Sequence, residues 1–327
     1  MHKLLFLFPI ILCFLYTTVF YFSAFSHIHL STLIMEPEVF SPLILDFKIP
    51  RWILACSVGA MLAQAGAVTQ AIYRNPLAEP SIIGVSSGAA LGAAIASICL
   101  PLSWSLWSIP LFAFLGGLIL SFSVYGMARH QGQTSVMILV LSGIVVSLFV
   151  QAFISLISYI GQESSIRQFH FWQMGTLVDR DLGLVGANLI LCILCTMFFK
   201  SRAQVLDIML LGDAHARYLG VDVEKVKMHC MLVVVCATAL TVATCGFIGF
   251  VGLIVPHFIR LLFGVSHHKL ILYSAYVGSL LLSLADLLAD HILYPAQLPV
   301  GLVTAVIGTP LFLFLLYQNK KVWSVPC

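Results

Sequence analysis

A serine nucleophile is the first chemistry that the residue pattern allows. Gly84-Val85-Ser86-Ser87-Gly88 fits G-x-S-x-G, the pattern that presents a reactive serine in one class of hydrolases. That arrangement needs a strand before the serine, a helix after it and a histidine within reach. Here an apolar run and a proline-containing connection come first. The enzyme hypothesis is therefore an intramembrane serine hydrolase with His257 or His291 as the base.

Cysteine and histidine pairs offer weaker chemistry. Cys192 and Cys195 form a C-x-x-C pattern, but both lie inside an apolar run, where cysteine behaves as a small hydrophobe. Two histidine pairs have no third ligand at a plausible spacing: His27 with His29, and His267 with His268. The sequence therefore predicts neither a redox centre nor a metal site.

Asp286 is an acidic residue within an apolar run. Acidic residues at such positions commonly contact ions, protons or cargo. One hypothesis is thus a secondary transporter driven by an ion gradient, with Asp286 as its proton or sodium site. A role in helix packing fits the same residue equally well.

Composition indicates a membrane protein. Of the 327 residues, 61% are hydrophobic and 9% are charged, and the mean hydropathy is +1.05. Soluble domains carry about 25% charged residues. The formal net charge of +3 and the lack of a basic run argue against nucleic acid as a partner.

Apolar runs of about 20 residues, the length that crosses a bilayer, recur along the chain. The first is longer than the apolar core of a signal peptide and is predicted to be a helix. We predict an all-α polytopic protein of about ten helices, in a single transmembrane domain over 1–327, with spans near 4–22, 52–72, 82–100, 109–128, 136–157, 184–199, 229–246, 248–263, 271–289 and 299–317.

Basic residues indicate the orientation of these spans. With both termini in the cytoplasm, the outer segments hold only Lys48, Arg51, Arg167 and Arg180 out of 16 lysines and arginines. Such an excess of positive charge on the cytoplasmic side is the usual bias in membrane proteins. We therefore expect both termini to be cytoplasmic.

Residues 74–92, RNPLAEPSIIGVSSGAALG, join two spans. Hydrocarbon does not tolerate so irregular and polar a backbone unless protein or a water-filled path surrounds it. A second broken segment surrounds Pro256. Paired broken segments in two halves of a chain suggest internal repeats around a transport pathway.

The segment 205–226 holds dense charge between two spans. We expect a short helix over Val205–Leu211, a break at Gly212, and a second short helix that Asp213 caps and that ends before Gly220. Exposed leucines among the charges are compatible with a docking surface for another protein. A solvated loop that merely joins two spans remains the alternative.

Four stretches together resemble the FecCD/BtuC-type permeases of ABC importers for ferric siderophores, haem and cobalamin. They occur in the family's order, and the resemblance covers about Lys48 to Leu316. Four long motifs are more specific than a single short pattern. The stretches are RNPLAEPSIIGVSSGAALGA, LDIMLLGDAHARYLGVDVEKV, GFIGFVGLIVPHFIRLLFG and LPVGLVTAVIGTPLFLFLL.

The resemblance implies a BtuC-like subunit of ten helices in the inner (plasma) membrane of a bacterial cell. It implies a homodimer with the pathway at its interface, two copies of a separate ATPase, and a periplasmic or lipid-anchored binding protein. The cargo would be an iron chelate (ferric siderophore or haem) or cobalamin. This chain has no G-x-x-x-x-G-K-[ST] motif, so ATP and Mg²⁺ are expected on the ATPase and no cofactor on this chain.

The resemblance also implies residue roles. Lys48 and Arg51 match two basic positions that dock the binding protein, although the family usually has arginine where Lys48 lies, and lysine lacks arginine's bidentate geometry. Asp290 occupies a position that is basic in some members. The coupling helices that contact the ATPase would include Asp207, Leu211, Gly212, Asp213, His215, Ala216, Arg217 and Gly220. The gate and pathway would include Asn75, Pro76, Ser86, Ser87, Gly88, Thr134, Ser135 and Ser142.

Overall fold

The fold is a bundle of apolar helices, seen in a computed structural model that describes residues 43–100, 105–130, 132–178, 181–264 and 266–318. The predicted first span at 4–22 lies outside these residues. The helices are α1 (Ile49–Tyr73), α2 (Val85–Ala94), α3 (Ser105–Ala128), α4 (Val136–Ile160), α5 (Glu163–Gln173), α6 (Leu182–Met209), α7 (Asp213–Tyr218), α8 (Val223–Cys245), α9 (Val251–Phe263), α10 (His267–His291) and α11 (Val300–Gln318).

Short elements extend this set. A π-helical turn, Leu43–Lys48, leads into α1, and another, Ile95–Cys99, continues α2. A 3₁₀ turn covers Pro80–Ile83. Between α3 and α4, β1 (Arg129–His130) and β2 (Gln133–Thr134) form a small antiparallel hairpin.

The nine spans predicted after residue 50 each correspond to an apolar helix. In the described part of the chain, six helices are long and apolar enough to cross a membrane, and three more are shorter. The shorter ones are Val85–Cys99, Val251–Phe263 and Val300–Phe314. The prediction of an all-α polytopic protein is confirmed.

Two local predictions were wrong. Val205–Leu211 is not a separate helix, because α6 continues without a break from Leu182 to Met209. Asp213 is not the N-cap of α7. That position belongs to Gly212, and Asp213 lies in the first turn with its carboxylate free to form ion pairs.

Helix α1 is the centre of the bundle and contacts α6, α8, α9 and α10. Glycines allow these close contacts. A Cβ on Gly59 would collide with the backbone of Gly278 in α10, and a Cβ on Gly66 would collide with Gly252 in α9. Small residues at helix crossings let backbones approach closely, which is how helices associate in lipid.

Helices α1 and α10 run antiparallel, so the start of α1 lies beside the end of α10. The two ends of the bundle carry different polar groups. One end holds the hairpin and the segment 205–226, which we call the coupling segment. The opposite end holds the start of α1 and the end of α10, where Arg51 meets Asp286.

Candidate functional site

The coupling segment is a helix–turn–helix at the end of the bundle. Gly212 has φ of +104° and Gly220 has φ of +84°, values that glycine adopts without strain. These two glycines bound α7 on either side. Asp222 caps the following helix α8, since its Oδ1 accepts the backbone N–H of Lys225 at 3.2 Å. The predicted breaks at Gly212 and Gly220 are confirmed.

The coupling segment has an exposed apolar face. Leu211 is 64% exposed, Leu219 59% and Tyr218 92%, while Ala216 is fully buried beneath them. His215 is also exposed on this face. Large apolar side chains that stay exposed at the polar end of a bundle are compatible with a surface for another protein. This geometry favours the docking interpretation over that of a plain linker.

Asp213 connects the coupling segment to two other elements. Its Oδ2 lies 2.6 Å from Nζ of Lys227, and its Oδ1 lies 3.4 Å from Nη2 of Arg74. The Lys227 side chain is only 3% exposed, and a buried ammonium group requires an acidic partner of this kind. Since Arg74 begins the connection 74–92, α7 is joined directly to that connection.

Glu224 makes a second link, from the coupling segment to α4. Its Oε2 accepts hydrogen bonds from the backbone N–H and the hydroxyl of Thr134, at 3.0 and 2.8 Å. Its Oε1 lies 3.6 Å from Nη2 of Arg217 and 3.7 Å from Nζ of Lys227. Thr134 lies one residue before Ser135, which caps α4 by accepting the N–H of Ile138. The start of α4 is therefore held by α8.

Charge at the edge of the coupling segment is stabilised locally. The side-chain ammonium and backbone N–H of Lys225 hydrogen-bond the exposed Asp222 and hold the pKa of that carboxyl below its usual value. Both side chains are exposed, and an exposed ion pair of this kind contributes little to the stability of the fold.

Asp207 differs from the other residues predicted to contact an ATPase. Its Oδ1 accepts the backbone N–H of His267 at 2.9 Å and lies 2.6 Å from Nδ1 of the same histidine. The His267 ring is fully buried. Asp207 thus ties the end of α6 to the start of α10.

The connection 74–92 folds back into the bundle. Arg74 ends α1 in a left-handed conformation with φ of +50°, and Asn75 Oδ1 accepts the N–H of Leu77 at 2.9 Å, just after Pro76. Deeper in the connection, Glu79 Oε1 accepts the N–H of Phe250 at 3.3 Å. The connection thereby contacts the start of α9, the second broken segment that the sequence indicated.

The serine-rich start of α2 packs against α3 and α4. The hydroxyls of Ser87 and Ser147 are 3.0 Å apart, and a Cβ on Gly88 would collide with Gly116 in α3. Ser142 Oγ donates to the Ile138 carbonyl at 2.6 Å, within α4. Of the predicted gate residues, Ser87 and Gly88 therefore lie where α2 crosses α4 and α3. Asn75 and Pro76 lie in the connection that follows α1, and Thr134 and Ser135 lie just before α4.

Ser86 lacks the surroundings of a nucleophile. Its Oγ is buried without a hydrogen-bond partner, and both ring nitrogens of His257 are equally without one. His291 lies in the last turn of α10, at the opposite end of the bundle. A 3₁₀ turn precedes Ser86 instead of a strand. The geometry offers no nucleophile–base pair of the kind that activates serine.

At the opposite end, Arg51 is held by two acids. Its guanidinium forms a bidentate pair with Asp286, and its Nη1 lies 3.6 Å from Asp290 Oδ1. Asp290 also accepts from Gln297 Nε2 at 2.7 Å. The side chain of Arg51 is 10% exposed, and Lys48 is buried as well. Little of either residue is available at the surface.

Sequence reasoning missed Glu224, Lys227 and Ser147. An acid and a base three residues apart at the start of an apolar helix were a visible signal for the first two. Nothing local in the sequence marked Ser147, which is one of several serines on α4.

Together these features define a multi-pass helical membrane protein in which an irregular connection is ion-paired to a charged segment at one end of the bundle. The chain belongs to the FecCD transport family, whose match covers residues 3–318. Members of this family are permease subunits of ABC importers, and their ATP hydrolysis occurs on a separate subunit.

Relatives that are named for different cargoes have about the same sequence identity to this chain. The chain is 37% identical to the hemin transport permease HmuU of Yersinia pestis, over 85% of this chain and 84% of the relative. It is 40% identical to the cobalamin import permease BtuC of Halobacterium salinarum, over 87% and 76%. It is 39% identical to the Fe(3+) dicitrate permease FecD of Escherichia coli, over 85% and 86%.

Solved structures agree with the fold. A structure described as an inward-facing conformation of a metal-chelate type ABC transporter superposes with a TM-score of 0.85 at 29% identity. The match covers 96% of this chain and 99% of that one.

Proposed function

We propose that this chain is the membrane subunit of an importer that carries an iron chelate (ferric siderophore or haem) or cobalamin across the inner membrane. Two copies of the chain would form the pathway, and two copies of a separate ATPase would bind ATP and Mg²⁺. A binding protein would deliver the cargo to the outer face. The relatives named for hemin, cobalamin and Fe(3+) dicitrate support this range of cargo.

One observation carries the proposal: the coupling segment presents an apolar face and is ion-paired to the gate. Movement of α7 would act on Arg74 through Asp213, and movement of α8 would act on Thr134 through Glu224. Both receiving residues begin elements that meet at the α2–α4 crossing. An ATPase seated on the coupling segment could thus change the packing of the gate.

Helix α4 supports a pathway beside a second subunit. Gln151 and Ser155, four residues apart on one face, are exposed within a predominantly apolar span. Polar side chains at membrane depth usually face a bundle interior or a water-filled cavity rather than lipid. In a homodimer, this face of α4 would line the path between the subunits.

The test is uptake by the complete system. The permease, the ATPase and the binding protein encoded beside it are reconstituted in proteoliposomes and offered a ferric siderophore, haem and cobalamin in turn. We expect ATP-dependent accumulation of one of these cargoes. Failure with every cargo, although the binding protein retains its ligand, would contradict the proposal.

A further inference from the structure

A groove between α3 and α8 stands apart from the gate and the coupling surface. It has a volume of about 280 Å³ and lies near the coupling-segment end of the bundle. Its floor includes Ile83 and Val235, both buried, and its walls include Phe122 and Leu232, which are 44% and 43% exposed. The groove therefore opens sideways between two helices that present apolar side chains to the exterior.

Basic residues stand at the end of this groove. Arg129 follows the last residue of α3, and His229 lies in the second turn of α8. Both are exposed, and neither takes part in an ion pair within the described residues. Apolar walls below, with the Arg129 guanidinium and the His229 imidazole above, match the two halves of an anionic lipid.

Position supports the same ligand. Arg129 lies where an apolar helix long enough to cross the membrane has just ended, which is the level of the lipid headgroups. Basic pockets between transmembrane helices at this level bind the head groups of anionic lipids. The side chain of Arg129 can form a fork of hydrogen bonds to phosphate.

Gly126 makes room for an acyl chain. It lies one turn before Arg129 on α3, and a Cβ placed on it would meet no atom within 4 Å. Glycine in a helix interior is less favourable than alanine. Here it leaves open space directly below the cationic rim.

We propose that this groove binds one anionic glycerophospholipid, with its phosphate at Arg129 and His229 and an acyl chain along Phe122, Gly126 and Leu232. The inference stands independently of the transported cargo. It also places lipid beside Tyr125, which lines the groove and whose hydroxyl lies 3.3 Å from that of Thr134.

The test uses purified protein in nanodiscs made of equal parts phosphatidylglycerol and phosphatidylcholine. Native mass spectrometry then counts the lipids that remain bound after release from the disc. Wild-type protein is expected to retain phosphatidylglycerol in preference to phosphatidylcholine. Arg129→Gln is expected to lower phosphatidylglycerol retention about fivefold and leave phosphatidylcholine unchanged.

A second variant separates the acyl-chain site from the charge. Gly126→Phe fills the groove and is expected to lower retention of both lipids. Its matched control is Gly186→Phe in α6, since a Cβ there also meets nothing within 4 Å. Lys200→Gln, which removes an exposed cation outside the groove, is the control for charge.

Equal retention of the two lipids by wild-type protein would overturn the proposal. It would also be overturned if Lys200→Gln lowered phosphatidylglycerol retention as much as Arg129→Gln, because the effect would then be one of general surface charge. A Gly126→Phe protein that keeps its full complement of lipid would place the acyl chain elsewhere.

Discussion

Arg51 and Asp286 form a bidentate ion pair between α1 and α10, at the end of the bundle opposite the coupling segment. Nε and Nη2 of Arg51 each lie 2.8 Å from a carboxylate oxygen of Asp286, and the Asp286 side chain is only 2% exposed. Two residues that sequence reasoning assigned to separate roles, docking and ion binding, are therefore partners. The Asp286 carboxylate already has a cation as its partner, the guanidinium of Arg51.

The first prediction concerns the stability of this pair. Asp286→Asn removes the bidentate carboxylate partner of the buried Arg51 guanidinium, and removing one partner of a buried pair costs about 3–5 kcal/mol. We expect a clear drop in the thermal unfolding midpoint of the detergent-solubilised protein. Arg167→Gln is the control, because its pair with Glu163 is exposed, at 68% and 88%. An Asp286→Asn protein as stable as this control would contradict the structural role.

The second prediction separates hydrolysis from transport. Glu224→Gln removes the charge that faces Arg217 and Lys227 and disturbs the hydrogen bonds from Thr134. In the reconstituted importer, we expect uptake per ATP hydrolysed to fall roughly three- to tenfold, within the range of coupling energies along such networks.

The control for this uncoupling is Asp222→Asn, two residues earlier. It keeps the Oδ1 acceptor that caps α8 and removes a carboxylate that is 53% exposed. We expect its ratio of uptake to hydrolysis to match the wild type. Equal ratios for Glu224→Gln and wild type would show that this link does not transmit movement.

The third prediction divides the coupling segment into two functions. Leu211→Asp places a charge on the exposed apolar face, so ATPase binding in a pull-down should weaken at least tenfold while the unfolding midpoint stays near the wild-type value. Asp207→Ala should lower the unfolding midpoint and leave ATPase binding near the wild-type value. It leaves the His267 N–H and buried ring without an acceptor, at a cost of about 1–3 kcal/mol. Loss of ATPase binding in Asp207→Ala at full stability would place Asp207 on the docking face after all.

The fourth prediction concerns packing around α1. Gly66→Ala forces a Cβ against the Gly252 backbone, which cannot rotate away, and overpacking of this kind costs about 1–3 kcal/mol or more. We expect a lower unfolding midpoint. Gly186→Ala in α6 is the matched control, since its Cβ enters open space and should be neutral or slightly stabilising. Equal midpoints would mean that the α1–α9 crossing is looser than described.

The spans and the breaks of the coupling segment were predictable from local sequence. A long apolar run predicts a membrane-crossing helix from its hydropathy alone. Gly212 and Gly220 both have positive φ, a conformation that glycine adopts more readily than other residues. The continuity of α6 was not predicted, because the charged residues Lys200 and Arg202 suggested that the helix ended with the apolar span. They extend the helix beyond the apolar part of the span.

Partners far apart in sequence were not predictable. Arg51 and Asp286 are 235 residues apart, and Thr134 and Glu224 are 90 apart. No local sequence pattern, such as helical periodicity or a capping motif, connects such residues. Only the packing of α1 on α10 and of the β-hairpin on α8 brings them together. Sequence alone therefore suggested a surface role for Arg51, whereas the fold buries it. Docking of a binding protein at Lys48 and Arg51 stays a prediction.

The most direct test of the central claim is uptake driven by each possible energy source. Proteoliposomes that contain the permease, with or without its ATPase, receive cargo on the binding protein, and either ATP or a proton gradient is supplied. We predict accumulation only when both the ATPase and ATP are present, and its loss in Leu211→Asp. Accumulation by the permease alone under a proton gradient would contradict this account and favour a secondary transporter.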